Sequence, residues 1–318
     1  MLLKLKSHPS LFTLNCSPTP LLSHRIIRLI AVKIDMKNQS KPILFPAFAL
    51  FFLLALGCPA TSSIPVEPED EREFDYLAGS EKGPMHWGEL KKEWEACKKG
   101  EMQSPIDLSS QRVKVMPKLG EIEWSYKPSN ATLKNRGHDI SLQWDTGNVG
   151  SIKINGTEYF LQQCHWHSPS EHTINGRRYA LELHMVHEST DPDVENKIAV
   201  VGLLYKNGVP DAFLSKLMGN VWSLIDKEDE KKMGVIDPTE IKMGGKNYLR
   251  YTGSLTVPPC TEGVIWTINK KMGTVSKDQI KLLREAVHDY AEKNARPVQQ
   301  LNQREIHLYL PNKAATQD

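Results

Sequence analysis

The chemistry in this chain is densest over residues 161–187, LQQCHWHSPSEHTINGRRYALELHMVH. On an extended strand side chains alternate between faces, so His165 and His167 share one face while Cys164 and Trp166 take the other. Two imidazoles placed that way can grip one metal ion, and Cys164 cannot join them. Asn175-Gly176 favours a two-residue type I′ hairpin turn. A ladder running back from it without a bulge sets Ile174 opposite Arg177 and His167 opposite His184. Directly opposed residues hold their Cβ atoms about 4.5 to 5.5 Å apart, which delivers a third imidazole to the first two. Pro169 interrupts that ladder, and a shift of two residues still leaves His184 on the same face.

Three histidines with no fourth protein ligand are the donor set of a catalytic zinc site, whose open position holds a water with its pKa lowered to about 7. Ligating histidines need acceptors for their second ring nitrogen. Gln163 shares the face of His165, and Glu182 that of His184.

The elements that must position these groups are mostly strands. Runs rich in Val, Ile, Tyr and Trp recur between turn signals at 121–127, 138–144, 158–167, 179–187, 197–205 and 263–269, which predicts a β-rich core. Helical periodicity is confined to two places. Asp211 can cap a segment in which Phe213, Leu214, Leu217, Met218, Val221, Trp222 and Ile225 form one stripe. Ser276 with Gln279 makes a capping box ahead of Ile280, Leu283 and Val287. Both stripes read as packing faces. No repeat or linker divides the chain beyond residue 75, so the reading is a single mainly β (α+β) domain.

At 318 residues, 40% hydrophobic and 25% charged, the chain can bury a sizeable core and is neither collagen-like, disordered nor a disulfide-stapled miniprotein. A net charge of +2 without a long basic run gives no footprint for nucleic acid. Residues 1–58 hold seven basic groups and one acid, which leaves 33 basic and 37 acidic groups in the remainder. The apolar run from Ile43 to Leu56 is too short to span a bilayer comfortably. It follows Lys37 and Lys41 and precedes Gly57-Cys58-Pro59-Ala60, the layout of a secretory signal peptide, here assigned to residues 36–60. Met36 stands directly before that segment, so residues 1–35 are read as an extension that is unfolded or not translated. The basic, apolar stretch Leu21 to Asp35 keeps a transit-type address as the alternative. Residues 61–75, rich in Ser, Pro and acids, read as a flexible arm. No apolar run of spanning length follows residue 60, so the mature chain is expected to carry no membrane anchor.

Of five cysteines, Cys16 and Cys58 fall in the leader, leaving Cys97, Cys164 and Cys260, which allow at most one internal bridge. Cys97 and Cys260 stand in loop-like contexts and Cys164 within an apolar strand, which points to a Cys97–Cys260 bridge. Two sequons, at Asn130 and Asn155, would be open to glycosylation on a secretory route.

Taken together with HWHSPSEHT at 165–173, ELHMVH at 182–187, GSLTVPPC at 253–260, NRGHDI at 135–140, QSPIDL at 103–108 and GPMHWG at 83–88, the chain resembles an α-class carbonic anhydrase of the plant secretory type. These runs occur in the family's order, and the resemblance assigns the domain to 76–312, with a short tail at 313–318. It implies a central twisted, mostly antiparallel sheet with short helices on its surface, and reversible hydration of CO2 to bicarbonate and a proton by a zinc-held hydroxide. His165, His167 and His184 match the zinc ligands. Thr256 matches the threonine that accepts a hydrogen bond from that hydroxide and passes its own proton to a carboxylate, matched by Glu171. His138 matches the proton shuttle, an imidazole titrating near neutrality. The CO2 pocket maps onto Val186, Val200, Leu255, Val264 and Trp266, and Cys97 with Cys260 matches the pair bridged in secreted members.

Three positions depart from the animal pattern. Glu89 stands in place of a tyrosine, Arg136 of an asparagine and Val257 of a second threonine, on the polar side of the cavity that organises water for proton transfer. No Ser/His/Asp constellation or HExxH helix is present, so ester hydrolysis would be a side reaction of the same hydroxide. A storage protein on the same scaffold is the alternative from another class, yet all three histidines, Thr256 and Glu171 are intact here. The expected partners are CO2 and bicarbonate, with no nucleic acid, in a monomer or small homo-oligomer. The expected location is the secretory pathway and extracellular apoplast, with the plastid as alternative.

Overall fold

The structure is a computed structural model that describes residues 73–311, apart from 146, 226 and 228. The extension, the signal segment, most of the arm, Cys16, Cys58 and the tail therefore lie outside the described residues.

Among the described residues thirteen strands make one mixed sheet. Its spine runs Val113–Val115, Ile306–Tyr309, Tyr248–Ser254, Glu262–Asn269, Ile198–Asn207, Leu181–Glu188, Thr157–His167, Ile140–Trp144, Ser129–Asn135 and Glu230–Ile236. Neighbours are antiparallel except where Val113–Val115 meets Ile306–Tyr309 and where Ile198–Asn207 meets Glu262–Asn269 and Gly273–Val275. The middle strands are covered on both sides. Ala199, Val201 and Leu203 point into a core shared with Phe213, Leu214 and Leu283 of the helices Ala212–Ser223 and Lys277–Ala286. Val200 and Leu204 point into a second apolar cluster on the other face.

The caps form as the sequence predicts. Asp211 accepts from the backbone of Leu214, and Ser276 and Gln279 make the reciprocal capping box. Trp222 departs from the expected stripe. One residue past Val221 it has rotated about 100° around the helix, and it stands 69% exposed. The packed domain also starts inside the stretch read as an arm. Phe74 is buried against Trp87 and Trp94, with ring centroids 5.3 and 6.1 Å away.

The hairpin at Asn175-Gly176 is present, with φ of 50° and 75° and Ile174 paired to Arg177. The ladder does not run on from it. The chain leaves the sheet at Ser168-Pro169, because a proline offers no N–H to the next rung. Residues 168–172 then lie opposite only 179–181, so the main ladder resumes two residues out of step. His165, not His167, faces His184, and His167 faces Glu182. A second Asn-Gly turn, Asn155-Gly156, closes the neighbouring hairpin with φ of 50° and 88°.

Candidate active site

Despite the shifted register, alternation along Thr157–His167 and Leu181–Glu188 puts His165, His167 and His184 on one face. One ring nitrogen from each lies within 4.8 Å of the others. The outward nitrogens are all held. His165 Nδ1 meets Gln163 Oε1 at 2.9 Å, His167 Nδ1 meets the Asn294 carbonyl at 2.6 Å, and His184 Nε2 meets Glu182 Oε1 at 2.8 Å. Each acceptor fixes the proton on the outer nitrogen and leaves a lone pair on the inner one. His167 Nε2 is buried without a hydrogen-bond partner, and His165 Nε2 and His184 Nδ1 face each other at 3.3 Å. Bare nitrogens converging in a buried pocket fit a cation, and the imidazole donor set suits zinc. Cys164, buried on the opposite face, has its thiol pushed well above the usual range by burial.

The protonation pattern follows the same layout. Burial pushes His165 well below its ordinary pKa and lowers His184 as well. At His167 burial is outweighed by the Glu171 carboxylate, whose Oε2 lies 3.6 Å from Nε2, and by the Asn294 carbonyl, so its pKa is raised. Burial alone would raise Glu182, but His172 and His184 hold it well below the carboxylate range. Glu182 also accepts from the backbone N–H groups of Glu171 and His172 at 2.8 Å each. Opposite His184, Gly202 leaves room for this carboxylate. A Cβ there would stand 2.5 Å from Ile268 Cδ1 and 3.4 Å from Glu182 Oε1.

Glu171 Oε1 accepts from the backbone of Arg296 at 2.9 Å, and Oε2 is buried without a hydrogen-bond partner. The expected hydrogen bond from Thr256 is not formed, although Thr256 is buried just ahead of the turn that Cys260 closes on Val257. The Cys97–Cys260 disulfide is formed. It ties that turn to the helical turn Ala96–Lys99. Val186, Val200, Leu255, Val264 and Trp266 gather in one apolar cluster, with the Trp266 ring 4.8 Å from that of His184.

His138 sits beside Phe74, ring centroids 5.2 Å apart, and is 1% exposed, a more enclosed place than a shuttle to solvent implies. Its neighbour Asp139 is gripped by the buried Arg136 fork at 2.8 and 2.5 Å. Burial would raise this carboxyl, but Arg136, His138 and His165 hold it far below its ordinary value. Glu89 bonds His86 and Lys98 at the surface, and Val257 packs beside the disulfide.

Sequence reasoning gave no role to His172, Tyr251 or Asn294. His172 bridges Glu182 Oε1 and the Tyr251 hydroxyl, at 2.6 Å each, and Tyr251 continues to Ser104. A histidine next to an acid in the 168–172 turn was the only local sign of this chain of bonds. Nothing local marks Asn294.

Residues 82–309 match the family described as eukaryotic-type carbonic anhydrase. The chain belongs to that family. It is 56% identical to alpha carbonic anhydrase 7 of Arabidopsis thaliana over 265 residues, 83% of this chain and 94% of that one. Among solved structures, dioscorin complexed with ascorbate is 43% identical with a TM-score of 0.72, covering 76% of this chain and all of the other. A hyperthermostable carbonic anhydrase from a hydrothermal vent chimney is 35% identical with a TM-score of 0.67, over 74% of this chain and all of the other. As a carbonic anhydrase the chain is an enzyme of CO2 and bicarbonate, and the mostly β sheet described above is the family's architecture.

Proposed function

We propose that the chain hydrates CO2 reversibly with a zinc ion held by His165, His167 and His184. The observation that carries this is the set of three inward nitrogens within 4.8 Å whose outward nitrogens are each held by an acceptor. Zinc supplies a Lewis acid that makes water nucleophilic near neutral pH. The protein's own groups do the rest. Gln163, the Asn294 carbonyl and Glu182 orient the imidazoles, while Val186, Val200, Leu255, Val264 and Trp266 offer CO2 an apolar wall. Glu171 Oε2 is the acceptor available to the Thr256 hydroxyl, which thereby presents its own oxygen as an acceptor toward the nucleophile. His138 keeps the shuttle role in this reading despite its enclosed place beside Phe74, so the ring must turn or Phe74 yield for the proton to pass outward; Asp139 lies 3.7 Å from its Nε2. Ester hydrolysis is a side reaction of the same centre.

The test is CO2 hydration by the chain from Thr61 onward, followed with a pH indicator in stopped flow before and after chelation. Hydration abolished by chelation and restored by zinc is the expected result. A folded, zinc-loaded protein without hydration would favour the storage or binding reading; for binding, dioscorin in complex with ascorbate is a related case. For location we propose the secretory route, consistent with the disulfide and with the exposed positions of Asn130 and Asn155. Peptide mapping of the secreted protein, with and without glycosidase, checks the leader and both sequons.

A further inference from the structure

The face of the sheet opposite the three histidines carries a cleft of about 630 Å³. Val200 and Trp266 belong to the histidine side. Their neighbours Val201 and Thr267 point the other way and floor this cleft together with Tyr248. Ile122, Trp124 and Tyr126 form one wall, and Thr239 with residues 241–246 forms the other. The volume is that of a small-molecule site. Its walls are also held in place. Asn269 donates its side-chain amide to the carbonyls of Met243 and Gly245, which pins the 243–245 loop, and Lys246 reaches across to Glu121 at 2.7 Å, which ties the two walls together.

The charge of the cleft is one-sided. Lys242, Lys246 and Lys271 line it with Glu121 as the one acid among the lining residues, and that acid is taken by Lys246. Gly244, at φ +69°, lets the Lys271 stem lie against it, since a Cβ there would stand 3.0 Å from Lys271 Cδ. Beside the floor, paired with Thr267 across the two strands, lies Arg250, only 8% exposed. Its Nε and Nη2 donate to Thr267 Oγ1 at 3.1 and 3.0 Å, and its guanidinium lies 4.8 Å from the Tyr248 ring centre. Neither partner is an acid. A buried cation without a counter-charge beside the floor, together with aromatic walls and two lysines with no acid of their own in the cleft, attracts a flat apolar body that carries a negative group.

We propose that this cleft is a second binding site, independent of the histidine centre, for a small aromatic carboxylate. The ring lies between Trp124 and the Ile241–Met243 side, and the carboxylate is directed to the Lys242 and Lys271 end.

The test is calorimetric titration of 4-hydroxycinnamate, and of its uncharged amide, into the zinc-loaded full chain, with CO2 hydration measured in the same solutions. Saturating sulfanilamide in a parallel titration blocks the metal centre. Expected is saturable one-to-one binding with a dissociation constant below about 1 mM that survives sulfanilamide. The amide should bind at least about tenfold more weakly, and Trp124→Ala should weaken the acid by about tenfold. Lys242→Gln combined with Lys271→Gln should cost about fivefold, as rim charges are screened. Hydration should stay unchanged at saturation in the wild type and in these surface variants. Absence of saturation, equal binding of the amide, or binding that sulfanilamide displaces and Trp124→Ala ignores would each overturn the proposal.

Discussion

The strand Leu181–Glu188 carries two buried histidines that face opposite sides of the sheet. On one side His184 gives Nε2 to Glu182 and leaves Nδ1 facing another bare imidazole nitrogen. On the other, His187 donates from Nδ1 to the Ala199 carbonyl at 3.1 Å and accepts the Tyr126 hydroxyl on Nε2 at 2.6 Å. Burial lowers the pKa of both, His187 to about 4. Burial and a depressed pKa therefore do not separate a ligand from a structural histidine. The separating feature is a ring nitrogen whose lone pair points at other lone pairs instead of at a donor. Such an arrangement is unfavourable until a cation fills it.

Four experiments put that contrast to the test. His184→Ala should remove zinc and CO2 hydration together, by about a thousandfold or more in rate, whereas His187→Gln should retain both. Zinc content and stopped-flow hydration of the two variants decide it, and zinc loss from His187→Gln would end the comparison. Glu182→Gln removes the charge that orients His184 and is expected to weaken zinc affinity by about 10- to 100-fold, measured by competition with a chromophoric chelator. His138→Ala should keep its zinc yet turn over about ten- to a hundredfold more slowly, with small imidazole buffers restoring the rate. Equal loss in His138→Ala and His184→Ala would merge two roles kept apart here.

The smallest effect on activity concerns stability. An unfolded chain protonates His187 near pH 6.5, while the folded chain refuses the proton until about pH 4. Between those values the unfolded state binds more protons, so His187 stabilises the fold fully above pH 6.5. That contribution is lost as pH falls through the window, by at most about 3 kcal/mol. Urea midpoints at pH 7 and pH 4.5 should accordingly converge in His187→Gln relative to the wild type.

Local signals carried much of the architecture. Asn175-Gly176 sets its turn, and Ser276 with Gln279 caps its helix. Alternation alone was enough to put three histidines on one face. The register was not legible, because it depends on how many residues the 168–172 turn takes out of the ladder. Strands such as Glu230–Ile236, charged and largely exposed at the edge of the sheet, show no apolar alternation to read. His172 and Asn294 escaped for another reason. Their partners, Tyr251 and His167, lie 79 and 127 residues away in the chain, and no spacing rule reaches so far.

Asn294 also sets an order of events in the making of the protein. Its side chain binds Ser168 N, the His138 carbonyl and the Trp166 carbonyl, and its own carbonyl orients His167, while Arg296 two residues on holds Glu171, Gln103 and the Cys97 carbonyl. A ribosome adding about 5–20 residues per second delivers these residues roughly 5 to 20 s after His184, the last of the three histidines. A nascent chain therefore carries every candidate ligand, with Gln163 and Glu182, well before it carries the carbonyl that orients His167. A product truncated before residue 294 would hold the three histidines with the supports of His165 and His184 and lack the one that aims His167.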